Sequence, residues 1–502
     1  MKLFFGISRR NIVLQFSSVY MIFNSFQFVW LFPIIFVLYY FLNWVLGSKY
    51  KYNQTQIANA LLIIISYGLY MQWNPQYALV LLGVTAITYF SALLIDRHNA
   101  YGRKKYLIYT GAFLALLPLL VFKYTDFILS SVSDVLGKGS SIEINLIAPI
   151  GISFFTFQAV GYLFDVYYKR TEVERNWWDY MLFVSFFPQI LSGPISKASD
   201  LLPQIKAHRK FAYSQAVEGL KWLLWGMFMK TVFADRIGIY VDTIFNNYQH
   251  MSGTSCILGA VLYSFQIYGD FAGYSFMALG VGKLMGFDLV NNFERPYFAS
   301  SVTEFWKRWH ISLTRWLTYN VYVPLGGNRC SKWKQYFNIM VTFLVSGIWH
   351  GANWTYIVWG GAHGVLQIVE KGTGLDPKGF LSTKRLLVIF KPIRIVVTFM
   401  LVSFVWIFFR MPTLSDACSY ISTMFTGGFS SIAEITPSAF LFIVLAIVVV
   451  SVKDFMDEYI PQQYTILNNR YTIVRWIGYI GILLLIMLCG VFDAGSFIYV
   501  NF

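Results

Sequence analysis

The sequence predicts an all-α protein that crosses a membrane many times. Three observations carry this. Of 502 residues, 57% are hydrophobic and only 13% charged, against about 25% charged in soluble domains. Tyr, Phe and Trp make up 19%, which suits aromatic belts at two membrane interfaces. Apolar runs near the roughly 20 residues that a spanning helix needs recur along the whole chain.

Candidate spans lie near 26–46, 57–73, 76–95, 106–130, 146–168, 212–232, 256–285, 336–350, 353–370, 388–410, 437–453 and 472–492. Allowing for short and Gly- or Pro-broken runs, we expect about 11–13 membrane helices. The stretch 183–195 is apolar but carries Pro188 and Pro194, so it reads as re-entrant or interfacial. Non-helical backbone at membrane depth survives only where protein or a water-filled cavity surrounds it. The middle of the chain should therefore enclose a cavity.

Lys and Arg set the expected orientation. The loops 96–105, 169–175 and 371–394 are basic and are expected in the cytoplasm. Residues 412–436 carry Asp416 and Glu434 but no Lys or Arg, and residues 131–145 have Lys138 as their one basic residue; both are expected outside. Alternation then puts the C-terminus outside. It also puts Lys2, Arg9 and Arg10 outside, against the rule. Translation from Met21 removes the conflict, so residues 1–20 are read as an N-terminal extension and 21–502 as one transmembrane domain. No cleavable signal peptide is expected, because residues 1–20 lack a clean apolar core and a small-residue cleavage site.

The net charge of +15 does not point to nucleic acid. The basic residues sit in short loops between apolar spans, as basic cytoplasmic loops do, so membrane lipid is the expected surrounding. Cys256, Cys330, Cys418 and Cys489 form no C-x-x-C pair, and neither a metal site nor a disulfide framework is expected. No internal repeat and no mirrored halves occur, which argues against a polysaccharide-precursor transporter or flippase, many of which have related halves.

Six histidines occur. His98, His208 and His250 fall in polar loops and read as solvated. His350 lies in Phe343-Leu-Val-Ser-Gly-Ile-Trp-His-Gly-Ala352, one of the most apolar parts of the chain, where an ionisable side chain is a functional candidate by default. Its unperturbed pKa near neutrality suits it to take a proton from a hydroxyl and return it. Gly347 and Gly351 beside it are expected to leave room for a ligand. The alternative is a histidine that only bonds a neighbouring helix. Trp349 and Asn353 flank the site, and His363 is expected on the next helix as a supporting residue.

His310 sits in Glu304-Phe-Trp-Lys-Arg-Trp-His-Ile-Ser-Leu313, where charge and aromatics interleave. The segment reads as amphipathic and interfacial, with Lys307, Arg308 and Arg315 near phosphate height, for a nucleotide-bearing donor or for lipid headgroups. Asp270, the one acidic residue between Asp242 and Asp288, needs a partner. It lines the cavity or belongs to a buried ion pair.

At these residues the chain resembles a membrane-bound O-acyltransferase (MBOAT), of the bacterial AlgI-type branch that O-acetylates exported polysaccharides. The resemblance spans most of the chain from Met21 to Phe502. It rests on Pro188–Ser196, Asn291-Asn-Phe-Glu-Arg-Pro-Tyr297, Phe305-Trp-Lys-Arg-Trp-His-Ile-Ser-Leu313, Tyr322-Val-Pro-Leu-Gly-Gly-Asn-Arg329 and Gly347-Ile-Trp-His-Gly-Ala-Asn-Trp354. It implies a ring of helices, with re-entrant and interfacial ones, around a central tunnel in a bacterial cytoplasmic (inner) membrane. His350 matches the family's catalytic histidine and His310 its second functional histidine.

The resemblance further implies that an acyl group, acetyl in this branch, leaves a cytoplasmic thioester donor, acetyl-CoA or an acyl carrier protein, with no bound cofactor. An extracytoplasmic, esterase-like partner transferase then modifies the polysaccharide acceptor. The tail Phe497-Ile-Tyr-Val-Asn-Phe502 is similar to a terminal Phe-x-Tyr-x-x-Phe motif of such systems, which implies Tyr499 as an acyl carrier. D-alanyl transfer and peptidoglycan O-acyl transfer are the alternatives within the family. Two positions depart from the branch pattern. Thr318-Tyr319 stand where an Arg-Asp pair is usual, and Phe276 stands where an Asp is usual.

Overall fold

The computed structural model describes residues 23–47, 54–98, 101–136, 144, 146–375, 389–429 and 436–492. Residues 1–20 and the tail bearing Tyr499 lie outside the described residues. The helices run in the order α1 (Phe26–Gly47), α2 (Gln54–Met71), α3 (Pro75–Arg97), α4 (Tyr101–Val135), α5 (Ile152–Tyr167), α6 (Trp177–Ser185), α7 (Phe187–Ile190), α8 (Ala198–Lys206), α9 (Tyr213–Phe228) and α10 (Asp235–Asn246). They continue as α11 (Gly253–Leu284), α12 (Val302–Arg308), α13 (Ile311–Leu317), α14 (Lys332–His350), α15 (Trp354–Thr373), α16 (Lys391–Arg410), α17 (Leu414–Thr426), α18 (Pro437–Tyr459) and α19 (Thr472–Cys489). Among the described residues no strand forms, and one isolated antiparallel bridge joins Phe293 to Trp309. The all-α expectation holds.

Among the described residues six helices are long and apolar enough to cross a membrane: Phe26–Trp44 of α1, α3, Gly102–Val135 of α4, α16, Ala439–Tyr459 of α18, and α19. Their outward faces carry large apolar side chains such as Phe26, Trp44 and Leu488, each at least 75% exposed. That surface needs hydrocarbon around it, and the protein is a multi-pass membrane protein. The expected spans α2, α5, α9, α11, α14 and α15 are not among these six. Of these, α5 and α11 are buried along most of their length, with α11 packed on α9, α10, α16 and α17, while α9, α14 and α15 keep exposed apolar residues such as Leu220, Phe337 and Val365. Interior helices need close fit more than apolar length, so they carry small and polar residues.

The pairing of α9 with α11 shows this. A Cβ on Gly219 would lie 2.8 Å from the Gly280 carbonyl oxygen, and one on Gly226 would lie 2.6 Å from that of Gly273. Each helix thus repeats its glycine after two turns and the two backbones meet directly. Six residues with π-helical hydrogen bonding (Met229–Ala234) join α9 to α10 and turn Lys230 inward. Its ammonium bonds Asp235 at 2.7 Å and Asp270 at 2.6 Å.

The Pro-broken stretch is not one segment but α6, the single turn α7 and an extended run to Ser196, all packed inside. Two of the basic stretches meet, and parts of the others touch the chain near α12 and α13. Arg175 bonds Asp96 at 3.0 Å, Arg170 donates to the Tyr319 carbonyl at 3.3 Å, and the Glu370 carboxylate accepts from the Val302 and Thr303 amides.

Candidate active site

Two chain reversals build the site. Helix α14 starts at Lys332, close to Asn328, which accepts from Lys371 at 3.4 Å, and runs about 27 Å, at 1.5 Å per residue, to end at His350. Asn353 then caps α15 by accepting from the Thr355 amide, while its amide group donates to the Pro412 carbonyl at 2.6 Å. The glycines beside His350 do not leave room for a ligand, as the sequence suggested. A Cβ on Gly347 would collide with the Tyr356 carbonyl oxygen, one on Gly360 with the Phe343 carbonyl oxygen, and one on Gly351 with the Tyr356 ring. Their small size lets α15 press against α14, the usual reason for glycine between helices in a membrane.

The second reversal is at His310, which with Trp309 links α12 to α13 and has φ 45° and ψ 52°. Asn292 holds the two residues that follow His310: its carbonyl accepts from the Ile311 amide and its side-chain oxygen from the Ser312 amide, each at 3.0 Å. The Ser312 hydroxyl accepts from the Ile195 amide at 3.0 Å, which ties the Pro-broken stretch to the same point. The segment is therefore less interfacial than its charge pattern suggested. Phe305, Trp306, Trp309 and His310 are buried and Lys307 is exposed, because the short helices turn their aromatic edge into the core.

These reversals bring the two histidines together. Their ring centroids are 6.4 Å apart, and His350 is 2% and His310 0% exposed. Phe154, Phe271 and Trp349 surround His310; Trp349, Trp359 and Phe409 surround His350. Neither ring nitrogen of His310 has a hydrogen-bond partner among the described residues. Polar atoms so deeply buried are ordinarily paired. A narrow cleft with about 10 Å³ of free volume reaches His350, lined by Lys123, Gly151, Ile152, Ser153, Phe154 and Trp349.

Lys123 is the neighbour of His350 that reading the sequence missed. Its signal was available, as the one charge between Lys105 and Asp126 in the span 106–130. The ammonium donates to the Trp349 carbonyl at 2.7 Å, the His350 carbonyl at 3.0 Å and the Ser153 hydroxyl at 3.3 Å.

The other candidates are dispersed. His363 is 0% exposed one layer behind His350, and its Nδ1 accepts from the Trp306 indole at 3.3 Å. Asp270 pairs with Lys230, as its ion-pair reading expected. Arg308 is engaged with Glu304 at 2.7 Å and Glu458 at 2.9 Å, locking α12 to the end of α18. Burial would raise the Glu304 carboxyl, but the Ser300 amide and hydroxyl and Arg308 outweigh it and hold it below the ordinary range. Arg315 lies 3.5 Å from Asp200. At the first departure from the family pattern, the Lys197 ammonium stands 3.6 Å over the Tyr319 ring. At the second, Phe276 packs on Trp222.

Two buried imidazoles facing one another, with a cleft at one of them, suit proton transfer in a site that excludes water. Comparison with known proteins gives the family. Residues 173–409 match the membrane-bound O-acyltransferase family. The chain is 36% identical to a probable alginate O-acetylase AlgI of Pseudomonas aeruginosa, over 83% of this chain and 77% of that protein. It is 34% identical to a peptidoglycan O-acetyltransferase of Helicobacter pylori, over 72% of this chain and 73% of that one. To a teichoic acid D-alanyltransferase of Bacillus subtilis it is 29% identical, over 57% and 74%. Likeness on this scale, running through both histidine segments, decides between enzyme and transporter: the chain belongs to the membrane-bound O-acyltransferase family, in its alginate O-acetylase-type branch, and is an O-acyltransferase.

Proposed function

We propose that the protein moves an acetyl group from a cytoplasmic thioester, acetyl-CoA or an acyl carrier protein, to a hydroxyl on the far side of a bacterial cytoplasmic membrane. The group serves O-acetylation of an exported cell-envelope polysaccharide. The reading rests on one observation, the two buried histidines 6.4 Å apart in an aromatic enclosure. His350 takes the proton of the acceptor hydroxyl as that oxygen attacks the thioester carbonyl carbon. The C–S bond breaks, and the leaving thiolate takes the proton back from the imidazolium. His310 polarises the carbonyl oxygen. Acid–base catalysis supplies on the order of 10²–10⁴-fold and positioning much of the rest. The aromatic walls keep water from hydrolysing the thioester.

The donor enters from the face that carries the basic loops, with exposed Lys307 and half-buried Arg315 as phosphate contacts. Arg308, engaged with two carboxylates, supports the donor end by holding α12. The acceptor is Tyr499, whose phenol makes an activated ester, or a sugar hydroxyl. A partner transferase outside the membrane passes the group to the polymer. Membrane vesicles given radiolabelled acetyl-CoA test the reading. His350→Ala protein that remains monodisperse in detergent should lose transfer, and cells carrying it should lose glycan acetate. Transfer at the wild-type rate by that variant would falsify the assignment.

A further inference from the structure

A helix leaves its last carbonyls without intrahelical partners. In α14 these belong to the turn that bears His350, and three consecutive ones are taken by neighbouring residues of a single distant helix. The Tyr124 hydroxyl donates to the Ile348 carbonyl at 2.5 Å. Lys123 donates to the Trp349 and His350 carbonyls at 2.7 and 3.0 Å. The third ammonium hydrogen goes to the Ser153 hydroxyl of α5 at 3.3 Å.

An ammonium has three donors, and all three are used. Lys123 lies within a span, Gly102–Val135, where a cation is costly, yet among the described residues it forms no ion pair with a carboxylate. Its counter-charge is the negative end of the α14 dipole. A saturated cation is a poor ligand for a developing oxyanion and a good clamp for backbone.

We propose that Lys123 and Tyr124 are positioning residues for His350. Together they act as a helix cap supplied by another helix, which fixes the peptide planes of residues 348–350 and with them the direction of the imidazole into the cleft. The inference rests on the reading of His350 as the general base. A displacement near 1 Å at a reacting group can lower a rate by about a hundredfold, so loss of the clamp should appear in kcat.

The test uses the full chain in membrane vesicles, with radiolabelled acetyl-CoA as donor and rates normalised to monodisperse protein. Lys123→Met should lower kcat by roughly 10- to 100-fold while KM for the donor stays within about twofold. Lys123→Arg, which can still donate to adjacent carbonyls, should recover most of the loss. Tyr124→Phe should cost several-fold in the same parameter.

His350→Ala is the reference. If it retains transfer, the reading of the site fails. If it abolishes transfer while Lys123→Met keeps the wild-type kcat, the positioning role fails. A rise in KM alone, or no recovery with arginine, also overturns it. Should Lys123→Met not fold, Tyr124→Phe, which removes one hydroxyl, carries the test, and a wild-type kcat for it refutes the clamp.

Discussion

Replacing Gly347 by alanine separates fold stability from site geometry. The added Cβ overlaps the Tyr356 carbonyl oxygen and must retreat by roughly 1 Å to reach normal contact. Overpacking of this kind costs about 1–3 kcal/mol, while alanine in a helix interior returns about 1 kcal/mol relative to glycine. The net loss is then at most about 2 kcal/mol, and the protein should still fold. The retreat, however, opens the α14–α15 spacing three residues before His350 and changes its contact with Trp359, now 4.9 Å between ring centroids. A shift near 1 Å there predicts about a hundredfold lower transfer. The control is Gly361→Ala on the same interface, where the nearest atom would be Leu344 Cδ2 at 3.7 Å, an ordinary contact. It should keep its activity and gain up to about 1 kcal/mol. Acetyl transfer in vesicles, normalised to folded protein, reads both. Wild-type transfer by Gly347→Ala would show that helix spacing does not govern the histidine.

Lys230→Met leaves Asp235 and Asp270 buried without the ammonium they share, at a cost on the order of 3–5 kcal/mol. The triple variant with Asp235→Asn and Asp270→Asn should recover a large part of it, as read by thermal unfolding in detergent; equal losses in both would contradict the ion-triad account. Glu304→Gln tests the α12 network through pH. The Glu304 carboxyl is held below its ordinary 4.5, so its stabilisation is present above that pH and is lost as pH falls through its folded value. The melting temperature of the variant should trail the wild type at pH 7 and converge with it in acid. A gap that stays constant from pH 7 down to about pH 2 would refute the assignment.

The lipid-facing helices were legible because hydrocarbon demands length and apolarity together, and α1, α3, α4, α16, α18 and α19 supply both. Interior helices such as α11 were legible as helices, but their composition answers to neighbouring backbones rather than to lipid. His350 and His310 stood out as ionisable groups in apolar surroundings. Gly347 was misread because a small residue makes equal room for a ligand or for a helix, and only packing tells which. The role of Lys123 was not legible at all. Its acceptors are carbonyls, which every residue carries, and the Trp349 carbonyl lies 226 positions away. Sequence shows that a cation is present but not which helix end has been left open beside it.

The backbone of His310 has a consequence for how that residue can vary. With φ at 45° it occupies a conformation that glycine and, to a lesser degree, asparagine adopt readily, and that costs other residues roughly 1–2 kcal/mol. Alanine there would remove the imidazole and keep the strain, so a dead His310→Ala enzyme would not say which of the two was needed. Asparagine keeps the turn and loses the imidazole, and glycine relaxes the turn entirely. The ratio of activity to stability across these three replacements distinguishes a residue retained for its ring from one retained for its bend.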